Sequence, residues 1–111
     1  MNYFIGIDPG QTGAVALLSD SGDIIFKDYG EPLSVLMEML SWVQTYRVKL
    51  IALEDVHSMP KQGVASTFKF GGNFGWYKGA LDMISLFLGI PWCLVRPQEW
   101  QKGVCAGKGA D

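Results

Sequence analysis

Two acidic residues stand at places where an apolar strand would not be expected to carry them. Phe4-Ile5-Gly6-Ile7-Asp8-Pro9-Gly10 is an apolar run that ends in Asp8 and turns through Pro-Gly, and Leu50-Ile51-Ala52-Leu53-Glu54-Asp55 is a second apolar run closed by adjacent acids. Aspartate is a poor strand former, and a carboxylate is costly to bury without a partner. Two carboxylates brought together repel, and each is driven to take up a proton unless a cation lies between them. Oxygen donors without Cys or His favour Mg²⁺ or Mn²⁺. Such ions polarise phosphoryl oxygens and activate water. Asp8 and Glu54 are therefore the candidate metal ligands. Each has a plainer reading when taken singly: Asp8 as a turn residue capping the Pro9-Gly10 bend, Glu54-Asp55 as a solvated strand end. Their joint occurrence in one short chain favours the chemical one.

Other chemistries are absent from the sequence. No Gly-Lys-Ser/Thr follows a strand, so there is no P-loop, and Gly71-Gly72-Asn73-Phe74-Gly75 is not a dinucleotide fingerprint. His57 is the single histidine, and Ser58 beside it makes no nucleophile system. His57 reads as a loop residue or a phosphate contact.

The elements that must position the acids follow from punctuation and periodicity. Strands are expected over about 2–8, 13–19 and 24–29, the last two joined by the Asp20-Ser21-Gly22-Asp23 turn. Pro32 suits the first turn of a helix to about Tyr46, in which Leu33, Leu36, Met37, Leu40 and Val43 or Gln44 recur at helical spacing. A strand from Lys49 to Val56 is apolar on both faces, as in a central parallel strand. A polar loop, His57 to Gly63, leads to a long helix over about Val64–Leu88, ended by Gly89 and Pro91. A short strand from Trp92 to Val95 follows. Gly71, Gly75 and Gly79 fall four apart on one helix face, and each costs about 1 kcal/mol relative to Ala. Something must approach that face closely: the sheet, a second subunit or a nucleic-acid backbone. Packing on the sheet is the first expectation, and a break in the helix near Gly71-Gly72 is the alternative. If the first helix crosses back over the sheet, the strands ending in Asp8 and Glu54 lie parallel and adjacent, with both carboxylates at one edge.

At 111 residues the chain is a single α/β domain, 1–111, with a β-β-β-α-β-α-β order and a mixed sheet. The net charge of −2 is unevenly spread. Residues 1–55 hold eight acids and three bases, giving −5, while 56–111 hold three acids and six bases, giving +3. An acidic centre beside a basic surface is one reading, and a solvated charged face is the other. The start has no secretory character, and the apolar stretch from Ala80 to Val95 is interrupted by Asp82, Gly89 and Pro91, so no membrane span is expected. Cys93 and Cys105 form no metal or redox pair, which suggests reduced thiols and a cytoplasmic location.

Three blocks in order, Gly6-Ile7-Asp8-Pro9-Gly10 with Thr12-Gly13, Leu53-Glu54-Asp55-Val56, and Arg96-Pro97-Gln98-Glu99-Trp100-Gln101-Lys102, resemble the RuvC-type Holliday junction resolvases. The phage-encoded relatives within the ribonuclease H-like superfamily are the most similar. The resemblance runs over nearly the whole chain. It implies a ribonuclease H-like mixed five-stranded sheet with flanking helices. It also implies a Mg²⁺- or Mn²⁺-dependent endodeoxyribonuclease that resolves four-way DNA junctions by paired phosphodiester hydrolysis, with water activated between two ions. Asp8 would bridge the ions and Glu54 would bind one of them. His57, Lys61, Gln62 and Lys69 would face branched DNA, as would Arg96 and Lys102, and the glycine-bearing helix would contribute to a homodimer interface. Asp55 matches no catalytic position, and His57 stands where bacterial members often carry an aromatic residue.

The family closes its fold with a further acid-bearing helix, and this sequence stops at Asp111, where that helix should begin. The expectation is a form lacking the C-terminal helix: inactive as given, with half a metal site and an uncovered apolar sheet face. Two rivals stand beside this reading. One is a fragment of an actin- or sugar-kinase-like ATPase, whose phosphate loop and opening meander look similar. The other is a non-catalytic DNA-binding or assembly module.

Overall fold

The computed structural model describes residues 1–10, 13–55 and 64–96, with the backbone alone over 64–73. Its first three strands, β1 (Tyr3–Asp8), β2 (Ala14–Ser19) and β3 (Ile24–Asp28), form an antiparallel meander. The β2–β3 turn closes as its residues dictate. Gly22 takes φ 100°, and the Ser19 hydroxyl, on a residue buried at the strand end, accepts from the Asp23 N–H at 3.0 Å. Helix α1 (Pro32–Thr45) then carries the chain to β4 (Val48–Glu54), which pairs parallel to β1. Helix α2 (Val64–Leu88) leads to β5 (Trp92–Val95), parallel to β4. The sheet order is β3-β2-β1-β4-β5, a mixed five-stranded sheet in which the strand ending in Asp8 lies beside the one ending in Glu54.

Both helices pack on one face of this sheet. Ile5, Ile7, Val15, Leu17, Ile51 and Leu53 supply the strand side of the core; Val35, Met39 and Trp42 come from α1, and Tyr77, Leu81 and Ile84 from α2. Burying each such side chain contributes about 1.5–3 kcal/mol. Trp92 Nε1 donates to Asp82 Oδ1 at 3.0 Å, tying β5 to α2. Central β4 is covered on both sides, with Ala52 joining Cys93 and Val95 in a small cluster on the opposite face.

Three expectations need correction. In α1 the buried line is Val35, Met39 and Trp42, while Leu33 and Met37 are more than half exposed. Leu36, Leu40 and Val43 only flank the core. The segment is apolar at so many positions that two stripes fit a period of 3.6, and contact with the sheet selects the other one. Second, α2 is unbroken from Val64 to Leu88, but the glycine face does not rest on the sheet: a Cβ added at Gly75 or Gly79 meets nothing within 4 Å. Third, Cys93 is buried and is not a free thiol, contrary to the reduced state expected.

Among the described residues no helix is long and apolar enough to cross a membrane. The other face of the meander is uncovered by them: Ile24 and Phe26 are more than 60 % exposed, and Phe4 is 37 % exposed.

Candidate functional site

Strand pairing brings the two acids together. Gly6 pairs with Ala52 and Ile7 with Leu53 in parallel register, so the next residues, Asp8 and Glu54, end adjacent strands at one edge of the sheet. Alternation puts both on the face opposite the helices, above the small residues Gly6 and Ala52. They lie at the mouth of an open groove of about 280 Å³ whose walls include Ala16, Leu18, Ile24 and Phe26. Asp55 comes one residue later and has the opposite parity; its N–H donates to the Val95 carbonyl at 2.8 Å, extending the β4–β5 ladder.

Asp8 is exposed and Glu54 half-buried. The Glu54 carboxyl is held above its ordinary value, first by burial, then by the neighbouring Asp8 charge, then by a hydrogen bond with Asp8. Partial burial of a carboxyl beside a like charge has this effect. Such a donor set fits a hard divalent ion, which would relieve the repulsion and take oxygen ligands from both. Among the described residues no group of three or more His, Cys, Asp or Glu side chains comes together, so the fit is that of a two-ligand centre.

The turn after β1 holds Asp8 in place. The Gly10 N–H donates to Asp8 Oδ1 at 3.0 Å, the capping role that a plain turn residue would play, and that bond does not use Oδ2. A Cβ at Gly10 would lie 3.2 Å from that same oxygen, so glycine is what allows the approach. The Gly13 N–H then donates to the Gly10 carbonyl at 3.0 Å, and Gly13 itself takes φ 59°. Beneath it lies Tyr77 of α2, 1 % exposed, its hydroxyl without a hydrogen-bond partner among the described residues. Burial, then the Asp8 charge, pushes the phenol up to about 12. Nothing in the sequence marks Tyr77 as a neighbour of the site; a tyrosine on an apolar helix face reads as core.

Of the other residues expected to meet DNA, Arg96 is exposed and directly follows Val95, the β5 partner of Glu54, which places it at the same sheet edge. Lys69 lies in α2 where only the backbone is described. His57, Lys61, Gln62 and Lys102 lie outside the described residues.

No protein-family model matches the sequence, and no curated protein matches it significantly. Solved structures do. Thermus thermophilus RuvC in complex with a Holliday junction substrate superposes with a TM-score of 0.61 at 16 % identity, covering 96 % of this chain and 71 % of that one. A further Thermus thermophilus RuvC structure gives 0.59 at 18 % identity, covering 98 % and 72 %. Identities this low speak for the backbone and not for the chemistry. The mixed sheet of order β3-β2-β1-β4-β5, with two helices on one face, is the ribonuclease H-like fold of the RuvC Holliday junction resolvases.

Proposed function

We propose that this chain is the RuvC-like core of a metal-dependent, structure-selective endodeoxyribonuclease acting on four-way DNA junctions. The observation that carries the proposal is the pairing of Asp8 with Glu54 at the carboxyl edge of a RuvC-like sheet, each carboxyl within the other's electrostatic reach. Asp8 and Glu54 would hold Mg²⁺ or Mn²⁺. A bound ion of this kind supplies Lewis acidity toward a phosphoryl oxygen and makes a bound water more acidic. Asp8, fixed through Oδ1 by the Gly10 N–H, would present Oδ2 as a ligand without losing its turn. Because burial and the Asp8 charge raise the Glu54 carboxyl, cation affinity should fall as pH drops through that raised value. Arg96, with His57, Lys61, Gln62, Lys69 and Lys102, would supply contacts to branched DNA.

A two-fold dimer fits the outer face of α2. A helix apolar on all sides is normally buried, yet Met83, Leu86 and Phe87 are more than half exposed. They continue the open face of Gly75 and Gly79, where a second α2 could approach closely. Two sites related by that axis would nick symmetric strands of a junction.

The test is Mg²⁺-dependent nicking of a synthetic four-way junction, run on the 111 residues and on any longer natural form. Junctions should be bound, and nicked only when Mg²⁺ is present. Asp8→Asn should abolish nicking and spare binding. Nicking that survives Asp8→Asn removes Asp8 from the reaction. The ATPase reading shares the opening meander and the Asp8 turn, and ATP binding by calorimetry would decide for it. Junction binding without nicking in every form would decide for a non-catalytic module.

A further inference from the structure

Tyr77 sits in the core with its ring among apolar neighbours and its oxygen beside Gly13. Its Oη is buried and, among the described residues, unpaired, although a phenylalanine would fill the same space without leaving an oxygen there. That oxygen lies directly beneath Gly13. A Cβ at Gly13 would stand 3.3 Å from it, and 3.6 Å from both the Glu31 amide nitrogen and Val35 Cγ2. Gly13 belongs to a chain of bonds that begins at the candidate ligand. Asp8 Oδ1 accepts from the Gly10 N–H, the Gly10 carbonyl from the Gly13 N–H, and the Gly13 carbonyl from the Tyr29 N–H. Displacing Gly13 therefore displaces the backbone that fixes the Asp8 carboxylate.

We propose that Tyr77 is a positioning residue for the cation site: its hydroxyl is the stop on which Gly13 rests, setting the height of the Asp8 turn at which Asp8 and Glu54 can share a divalent ion. This rests on the reading of those two acids as ligands. A buried oxygen without a partner works against the fold, and residues that break such a rule belong at functional sites. Glycine at position 13 completes the device, because its positive φ and missing side chain let Oη come so close.

The proposal separates stability from cation binding. In Tyr77→Phe the thermal midpoint should hold or rise, because an unsatisfied oxygen is lost. The dissociation constant for Mn²⁺ alone, measured by calorimetry, should weaken about 10-fold, at the lower end of what supporting residues around a metal contribute. Asp8→Asn should lose the site altogether, and the Mn²⁺-broadened Gly10 amide resonance seen in the unaltered protein should sharpen. Unchanged Mn²⁺ affinity in Tyr77→Phe overturns the positioning role and leaves the ligand reading standing. A Tyr77→Phe protein that unfolds more readily overturns it as well, because the hydroxyl would then be structural. Absence of Mn²⁺ binding in the unaltered protein overturns both.

Discussion

Replacing Asp8 with Asn should make the metal-free protein more stable while removing its response to cations. Asparagine keeps the oxygen that accepts from the Gly10 N–H, so the turn is preserved. What disappears is the like charge that helps hold the Glu54 carboxyl above its ordinary 4.5. Two unit charges at contact distance repel by about 1 kcal/mol in water-like surroundings. Asp8 is exposed and Glu54 only half-buried, so screening reduces this to about 0.5 kcal/mol. In a domain of this size that is a rise of about 2–4 °C in the thermal midpoint. Mn²⁺ should invert the order. At a hundredfold excess over its dissociation constant the unaltered protein gains about 2.7 kcal/mol, and Asp8→Asn gains almost nothing. The pH dependence has a fixed sign. Because Glu54 is raised in the fold, its contribution to metal-free stability is full below 4.5 and is lost as pH rises through the raised value. Asp8→Asn should shrink that loss. Thermal melts with and without Mn²⁺, at pH 4 to 8, contain the whole test. A metal-free Asp8→Asn protein less stable than the original, or an equal gain from Mn²⁺ in both, would refute the pairing of these carboxylates.

Three further outcomes follow from the same geometry. Gly10→Ala should weaken Mn²⁺ binding with little loss of fold, since a Cβ 3.2 Å from Asp8 Oδ1 must push the carboxylate aside; calorimetry that finds equal affinity contradicts this. Phe87→Glu with Leu86→Glu, at positions more than 70 % exposed, should shift a dimer to monomer in sedimentation equilibrium without lowering the thermal midpoint of the monomer, and an unmoved dimer places the interface elsewhere. If Lys61, Lys69, Arg96 and Lys102 each neutralise one phosphate, junction affinity should fall with salt at a log–log slope of about −3 to −4; a flat response leaves those residues without a DNA role.

The fold was legible wherever one local rule decided an element. Pro32, Gly89 and Pro91 bracket helices, Gly22 closes a hairpin, and the apolar run into Glu54 demands a strand covered on both faces. The adjacency of Asp8 and Glu54 was legible too, because a helical crossover between parallel strands leaves few other arrangements. What stayed hidden depends on contacts across the chain. Residues 32–45 are apolar at so many positions that periodicity cannot choose between Leu33–Met37 and Val35–Met39; only the sheet beneath makes the choice. The glycines of α2 announce a close approach without naming the occupant, and the sheet proves not to be it. Tyr77 is invisible because its meaning lies in a contact with Gly13, 64 positions earlier.

The juxtaposition of the acids rests on one further detail of pairing. Tyr3 pairs with Val48 but Phe4 pairs with Leu50, so the register shifts by one residue at Lys49 before the regular ladder runs from Ile5–Ile51 to Ile7–Leu53. Had the Tyr3–Val48 register continued without that shift, Asp8 would stand beside Leu53, and the apolar and acidic ends of the two strands would fall out of step. A shift of one residue in a strand exchanges its faces. The cost of the irregularity falls at the far end of the sheet, where Lys49 turns to solvent. The benefit falls at the carboxyl edge, where Gly6 and Ala52 leave room above the sheet and the next residue of each strand is a carboxylate. The register shift at the start of β4 thus decides that Asp8 meets a carboxylate and not Leu53.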